Sequence, residues 1–187
     1  MITTEIDKKC SILGFRNVKI CDVERFLKKI RANIHPTKIQ IVDATKVAGK
    51  SHLFFAFLNA QVSFEQGLNI SENLEIEVLL YATGTRQIVK AIEILGINSK
   101  SINIGVMLFD SDKKKLEKAA KTLTPLIEGI RDDTVLDLHE QGKTDLLLEF
   151  FGITSLEWKT MTGCGFKKKN VLTWLIVEKG ALLSIKR

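Results

Sequence analysis

INIGVMLF, Ile102 to Phe109, is the clearest strand in the chain, an apolar run between polar clusters, and the fold is read outward from it. Two further runs match it toward the N-terminus, CSILGF (Cys10 to Phe15) and KIQIV (Lys38 to Val42), both short and rich in β-branched or alternating apolar residues. Between those two, Val23, Phe26, Leu27 and Ile30 recur at helical spacing, with Asp22 placed to cap the first turn and Asn33 near the end. Following the central strand, Asp112 caps a segment in which Leu116, Ala119, Ala120 and Leu123 share one face until Pro125 interrupts it.

The middle of the chain reads as helical. Asp43 is the expected cap of a long helix, ATKVAGKSHLFFAFLNAQVSF, closed by Gly67. In SENLEIEVLLY both periods are present: Leu74, Ile76, Val78 and Leu80 alternate, whereas Leu74, Val78 and Tyr81 suit a helix capped by Ser71. A helix over Arg86 to Leu95 follows, capped by Thr85 and ended by Gly96. Toward the C-terminus, DLLLEFFGI (Asp145 to Ile153) reads as a short helix and TMTGCGFKKKN (Thr160 to Asn170) as a loop. NVLTWLIVEKGALLSIKR reads as an apolar helix weakened at Gly180. The expectation is one α/β domain over residues 1–187: a single layered domain with a central mixed or largely antiparallel sheet and packed helices.

Composition narrows the partners. The 28 Lys and Arg against 22 Asp and Glu give a formal charge of +6, which favours anionic ligands. Cys10, Cys21 and Cys164 are widely separated, so neither a disulfide framework nor a zinc site is expected, and a reducing compartment fits best. MITTEIDKKC lacks the apolar core of a signal peptide and no run approaches a membrane span; a soluble, cytoplasmic protein is expected.

Catalytic motifs are wanting. VAGKSH, Val47 to His52, ends like a phosphate-binding loop, but the position that should hold its first glycine is Ala44. A nucleotide-binding enzyme built on this imperfect loop stays as an alternative. Otherwise Gly49 is expected to admit a close neighbour and Lys50 to point to water. His35, His52 and His139 are scattered without metal-ligand spacing, so no metal, cofactor or catalytic residue is assigned. Lysine runs at 113–115 and 167–169 read as solvated surface.

PTKIQIVDATKVAGKSHLFFAFLNA, followed after a spacer by NLEIEVLLYATGTRQIVKAIEILGI and at the end by LIVEKGALLSIKR, resembles the small accessory subunit of the KEOPS complex, the TPRKB-like family. The resemblance rests on Val42-Asp43, His52-Leu53 with Ala56 and Ala60, Glu77 to Tyr81, Thr83 to Arg86, and Ala91 to Ile97. It implies a non-catalytic tRNA- and kinase-binding protein that docks the complex's small atypical kinase/ATPase and helps hold the CCA end of tRNA. The complex transfers a threonylcarbamoyl group to the adenosine beside the anticodon.

If that carries over, Arg86, Lys90, Lys46 and Lys50 are the expected RNA-binding cations, and Tyr81 or Phe64 are candidates for stacking a base. Leu172, Leu175, Leu182 and Ile185 form the expected kinase-docking stripe if this face is exposed; the alternative is that the helix is wholly core. An adaptor without RNA contact is the remaining alternative.

Overall fold

The computed structural model describes residues 9–138, 141–163 and 168–184. In chain order the elements are β1 (Cys10–Arg16), α1 (Val23–Ile34), β2 (Lys38–Asp43), α2 (Lys50–Glu65), α3 (Leu74–Thr83), α4 (Ile88–Leu95) and β3 (Ile104–Phe109). Then come α5 (Lys113–Leu123), β4 (Ile130–Arg131), α6 (Gln141–Phe150), α7 (Ser155–Gly163) and α8 (Lys168–Ala181). They divide between two compact units, one of residues 9–45 with Gly96–Val135, the other of Lys46–Leu95 with Leu136 to the C-terminal side.

The first unit is a four-stranded sheet in the order β2-β3-β1-β4, with every neighbouring pair antiparallel. Its β-α-β-β-α-β order is that of a split βαβ fold, with the second unit's α2, α3 and α4 inserted between β2 and β3. β3 is buried along its whole length. Ile30 and Ile34 of α1 and Leu116, Ala119 and Leu123 of α5 pack with Leu13, Phe15, Ile39, Ile41, Val106 and Leu108 of the strands. The caps are as read from sequence: Asp22 accepts from the Arg25 amide at 3.0 Å, and Asp112 from the Lys114 amide at 2.8 Å.

In the second unit α2, α3 and α8 pack on one another, α4 packs on α3, and α6 and α7 pack on α8. Asp43 does not cap α2. Its Oδ1 accepts from the Thr45 amide and hydroxyl, 3.0 and 2.6 Å, and so caps a single 3-10 turn, Ala44–Lys46; α2 begins only at Lys50. Gly49, just before it, has φ 93° and ψ 166°, a conformation that is essentially glycine-only, and a Cβ there would meet nothing within 4 Å. Its role is therefore backbone shape, not the close packing expected.

α3 settles the ambiguous segment as helix. It is buried from Glu77 through Thr83, so apolar residues occupy every face and neither period stands out. Glu77 is wholly buried; its carboxylate accepts from the Ile70 and Ser71 amides and the Ser63 hydroxyl, tying the α2–α3 loop to α3. Ser71 accepts from the Asn73 amide, and Asn73 occupies the cap position.

Thr160 to Asn170 is not simply a loop either. Its start closes α7 and Lys168 opens α8. Gly180 is no weak point: a Cβ there would run into the Tyr81 carbonyl oxygen, so glycine is what lets α8 cross α3. No helix among the described residues is long and apolar enough to cross a membrane.

Candidate binding cleft and its basic rim

The turn from α3 into α4 shapes the site. Gly84 sits in the left-handed region at φ 65°, and its amide and that of Thr85 both donate to the Leu80 carbonyl, which ends α3. The Thr85 hydroxyl accepts from the Gln87 amide at 3.3 Å and α4 starts at Ile88. On the facing side, Lys179 of α8 lies 3.4 Å from where a Gly84 Cβ would stand.

Beside this turn opens a cleft of about 600 Å³, lined by Thr83, Thr85 and Lys90 on one side and by Phe150, Glu157 and Lys179 on the other. Lys90 is exposed at its edge. Lys179 is more committed: its Nζ donates to the Gly152 carbonyl at 3.4 Å and lies 3.6 Å from Glu157 Oε1. The Thr154 amide and hydroxyl donate to Glu157 Oε2 at 2.6 and 2.8 Å, which holds the Glu157 carboxyl below its ordinary value; Lys179 adds to this.

Arg86 is tied as well, one guanidinium nitrogen donating to the Leu183 carbonyl at 3.2 Å, from α4's leading edge to the turn after α8. Lys46 reaches the same region by another route. Its Nζ donates to the Glu93 carbonyl at 3.3 Å and stands 5.1 Å from the centroid of the Phe150 ring, a cation–π contact at the cleft wall. Arg86, Lys90 and Lys46 thus border one region. Lys50 does not join them. It lines a separate cavity of about 270 Å³ with Ser51, Asp137, Asn170 and Thr173.

The VAGKS segment is committed to packing. The Ala48 amide donates to His52 Nδ1 at 3.2 Å and the Ala48 carbonyl accepts from the Thr173 hydroxyl at 2.8 Å. Val47 and Ala48 are fully buried, and the Ala48 amide is taken by His52 rather than left for a ligand.

The expected docking stripe is not an exposed face. Leu172 is fully buried and Leu175 is 6% exposed, both in the core with Leu147, Phe151, Val171 and Ile176. Leu182 is half-buried at the cleft, and Ile185 lies outside the described residues, as does His139. A very apolar terminal helix in a small unit is core first. Tyr81 is buried too, with 5% exposure, so its ring is closed to a stacking base.

Sequence reading missed Lys179, whose Glu-Lys-Gly-Ala setting marks a helix and carries no sign of a cleft. It also missed the outward face of α4, where Ile88, Val89 and Ile92 are 39%, 70% and 49% exposed while Ala91 and Leu95 are buried. Among the described residues no group of three or more His, Cys, Asp or Glu is placed to hold a metal ion.

The profile of the family described as "Kinase binding protein CGI-121" matches residues 15–179. Over 150 residues, 80% of this chain and 86% of the relative, the sequence is 32% identical to the "Regulatory protein Cgi121" of Methanocaldococcus jannaschii.

Proposed function

Because the chain belongs to the Kinase binding protein CGI-121 family, we propose that it is a non-catalytic accessory subunit of the KEOPS tRNA-modifying complex. It holds the complex's small atypical kinase/ATPase and recruits tRNA by its CCA end, while other subunits transfer the threonylcarbamoyl group. The observation that carries this reading is the extent of the match, residues 15–179, which runs through both units instead of resting on one motif. That the two units act as one domain over residues 1–187 in the cytoplasm is part of the same proposal.

For the RNA end the cleft offers what a splayed nucleotide needs. Phe150 and Leu182 give apolar contact, and Lys90 at the rim, with Lys46 and Arg86 nearby, gives the phosphate its countercharge. Lys50, in the other cavity, is the weakest of the four assignments. For the kinase, the docking role passes from the buried α8 stripe to α4, because Ile88, Val89 and Ile92 form an exposed apolar face that a protein partner would cover.

Two measurements test this. Titration with intact tRNA and with tRNA lacking its CCA end, at two stated salt concentrations, should show tighter binding of the intact form and a loss in Lys90→Glu. Co-purification with the kinase should be lost in the Val89→Asp/Ile92→Asp double variant while Lys90→Glu retains it. Kinase binding with neither tRNA bound above the non-specific background would instead support an adaptor without RNA contact, a reading favoured by the two carboxylates, Glu157 and Glu178, in the cleft wall. Magnesium-dependent ATP binding by the isolated chain would revive the nucleotide alternative.

A further inference from the structure

α1 and α5 lie side by side on one face of the first unit's sheet, and between them they carry most of the protein's excess charge. α1 contributes Arg25, Lys28, Lys29 and Arg31 against Glu24; α5 contributes Lys113, Lys114, Lys115, Lys118 and Lys121 against Glu117. Nine cations less two carboxylates is +7. Adding the two aspartate caps, Asp22 and Asp112, leaves +5 of the whole chain's +6. All of these residues are exposed.

Helical geometry concentrates the charge further. Opposite the buried residues Ile30 and Ile34 stand Arg25 and Lys28; opposite Leu116, Ala119 and Leu123 stand Lys114, Lys118 and Lys121. Glu117 sits to one side, 3.8 Å from Lys113. The five outermost cations form no ion pair with any described residue. Along a row they are three or four residues apart, about 4.5–6 Å of helix axis, and helices in contact set two rows about 8–10 Å apart.

We propose that this two-helix ridge is a second, sequence-independent RNA-docking surface that lies against the phosphate backbone of the RNA body. The choice of RNA over other polyanions rests on the function proposed above; the ridge itself does not. A protein partner is disfavoured because neither helix exposes a large apolar side chain, and a stable protein interface needs an apolar centre. An anionic membrane is disfavoured for the same reason, since an interfacial helix needs an apolar face to insert. Exposed cations at regular spacing, unpaired among the described residues, instead suit a backbone whose counterions they release, which positions a ligand without reading its sequence.

The test uses the full chain and a blunt-ended RNA hairpin with no single-stranded 3′ end, so the CCA reading is not involved. Wild type should bind it with a log K against log salt slope of about −4. Lys114→Glu/Lys118→Glu should weaken binding at low salt by about 10²-fold and make the slope shallower by about 2. Lys100→Glu/Lys159→Glu, which changes the net charge equally at exposed sites off the ridge, should stay within about threefold of wild type. Kinase co-purification should survive in both variants. Equal losses in the two charge-reversal pairs, no hairpin binding by wild type, or loss of the kinase with the ridge variant would each overturn the proposal. So would equally tight binding of phosphatidylserine vesicles with the same sensitivity to Lys114→Glu/Lys118→Glu.

Discussion

His52 joins three parts of the second unit through one neutral ring. Nδ1 accepts from the Ala48 amide at 3.2 Å, Nε2–H donates to the Ala82 carbonyl at 2.7 Å, and the ring meets Phe151 edge-on at 5.7 Å. Both nitrogens are engaged only if the ring carries one proton. Burial therefore pushes its pKa from 6.5 down to about 4, against the pull of the Ala82 carbonyl and with a smaller push from Lys143. Below pH 6.5 the unfolded chain binds a proton that the folded ring refuses, so stability is complete above that pH and falls as the pH drops toward 4. The expected loss is about 1.4 kcal/mol per pH unit across that window, about 3 kcal/mol in all. Chemical denaturation at a series of pH values should show this slope in wild type and not in His52→Gln, which should be less stable at neutral pH. An unchanged slope in the variant would place the acid sensitivity elsewhere.

At the scale of elements, α8 is held by what its residues lack as much as by what they bring. Gly180 leaves room for the Tyr81 carbonyl, and Leu172 fills the core. An exposed helical Gly→Ala change would ordinarily stabilise by about 1 kcal/mol. Here Gly180→Ala should destabilise by about 1–3 kcal/mol through overpacking, and Leu172→Ala by about 2–5 kcal/mol through the cavity it leaves. Thermal unfolding measures both. A Gly180→Ala variant as stable as wild type would mean that α3 and α8 can separate at no cost, contrary to the close approach described. The same helix explains the misplaced docking stripe, because Leu172 and Leu175 look identical in sequence whether they face a partner or the chain's own core.

For the whole molecule the charge distribution has a consequence for stability. Nine cations on two adjacent helices repel one another, and Glu24 and Glu117 offset only part of that. Raising NaCl from about 20 to about 300 mM shortens the Debye length from over 20 Å to under 6 Å, so the melting temperature should rise over that range. The rise should be smaller in Lys114→Glu/Lys118→Glu, in which two repelling cations become attracting acids. A melting temperature that falls or stays level with salt would show that the ridge carries no net repulsion.

Some of this was determined by the sequence alone. The helices α1 and α5 follow from local period and caps, because each has one buried face and a polar remainder, and β1, β2 and β3 follow from short apolar runs, β-branched or alternating. The resemblance likewise rests on runs such as KIQIVD and AIEILGI, which hold the same elements here. What only the tertiary structure decided concerns groups whose meaning depends on a distant neighbour. SENLEIEVLLY became helix because burial on every side erased its period, and Asp43, read as a helix cap, also accepts from the distant Ser101 hydroxyl at 2.7 Å. Lys179 came to a cleft from 89 residues beyond Lys90, and nine cations scattered over two helices became one ridge when the sheet set those helices side by side. Local sequence fixes the backbone's short-range hydrogen bonds and the direction of each apolar face; which faces meet, and so which charges stand together, follows from packing between residues far apart in the chain.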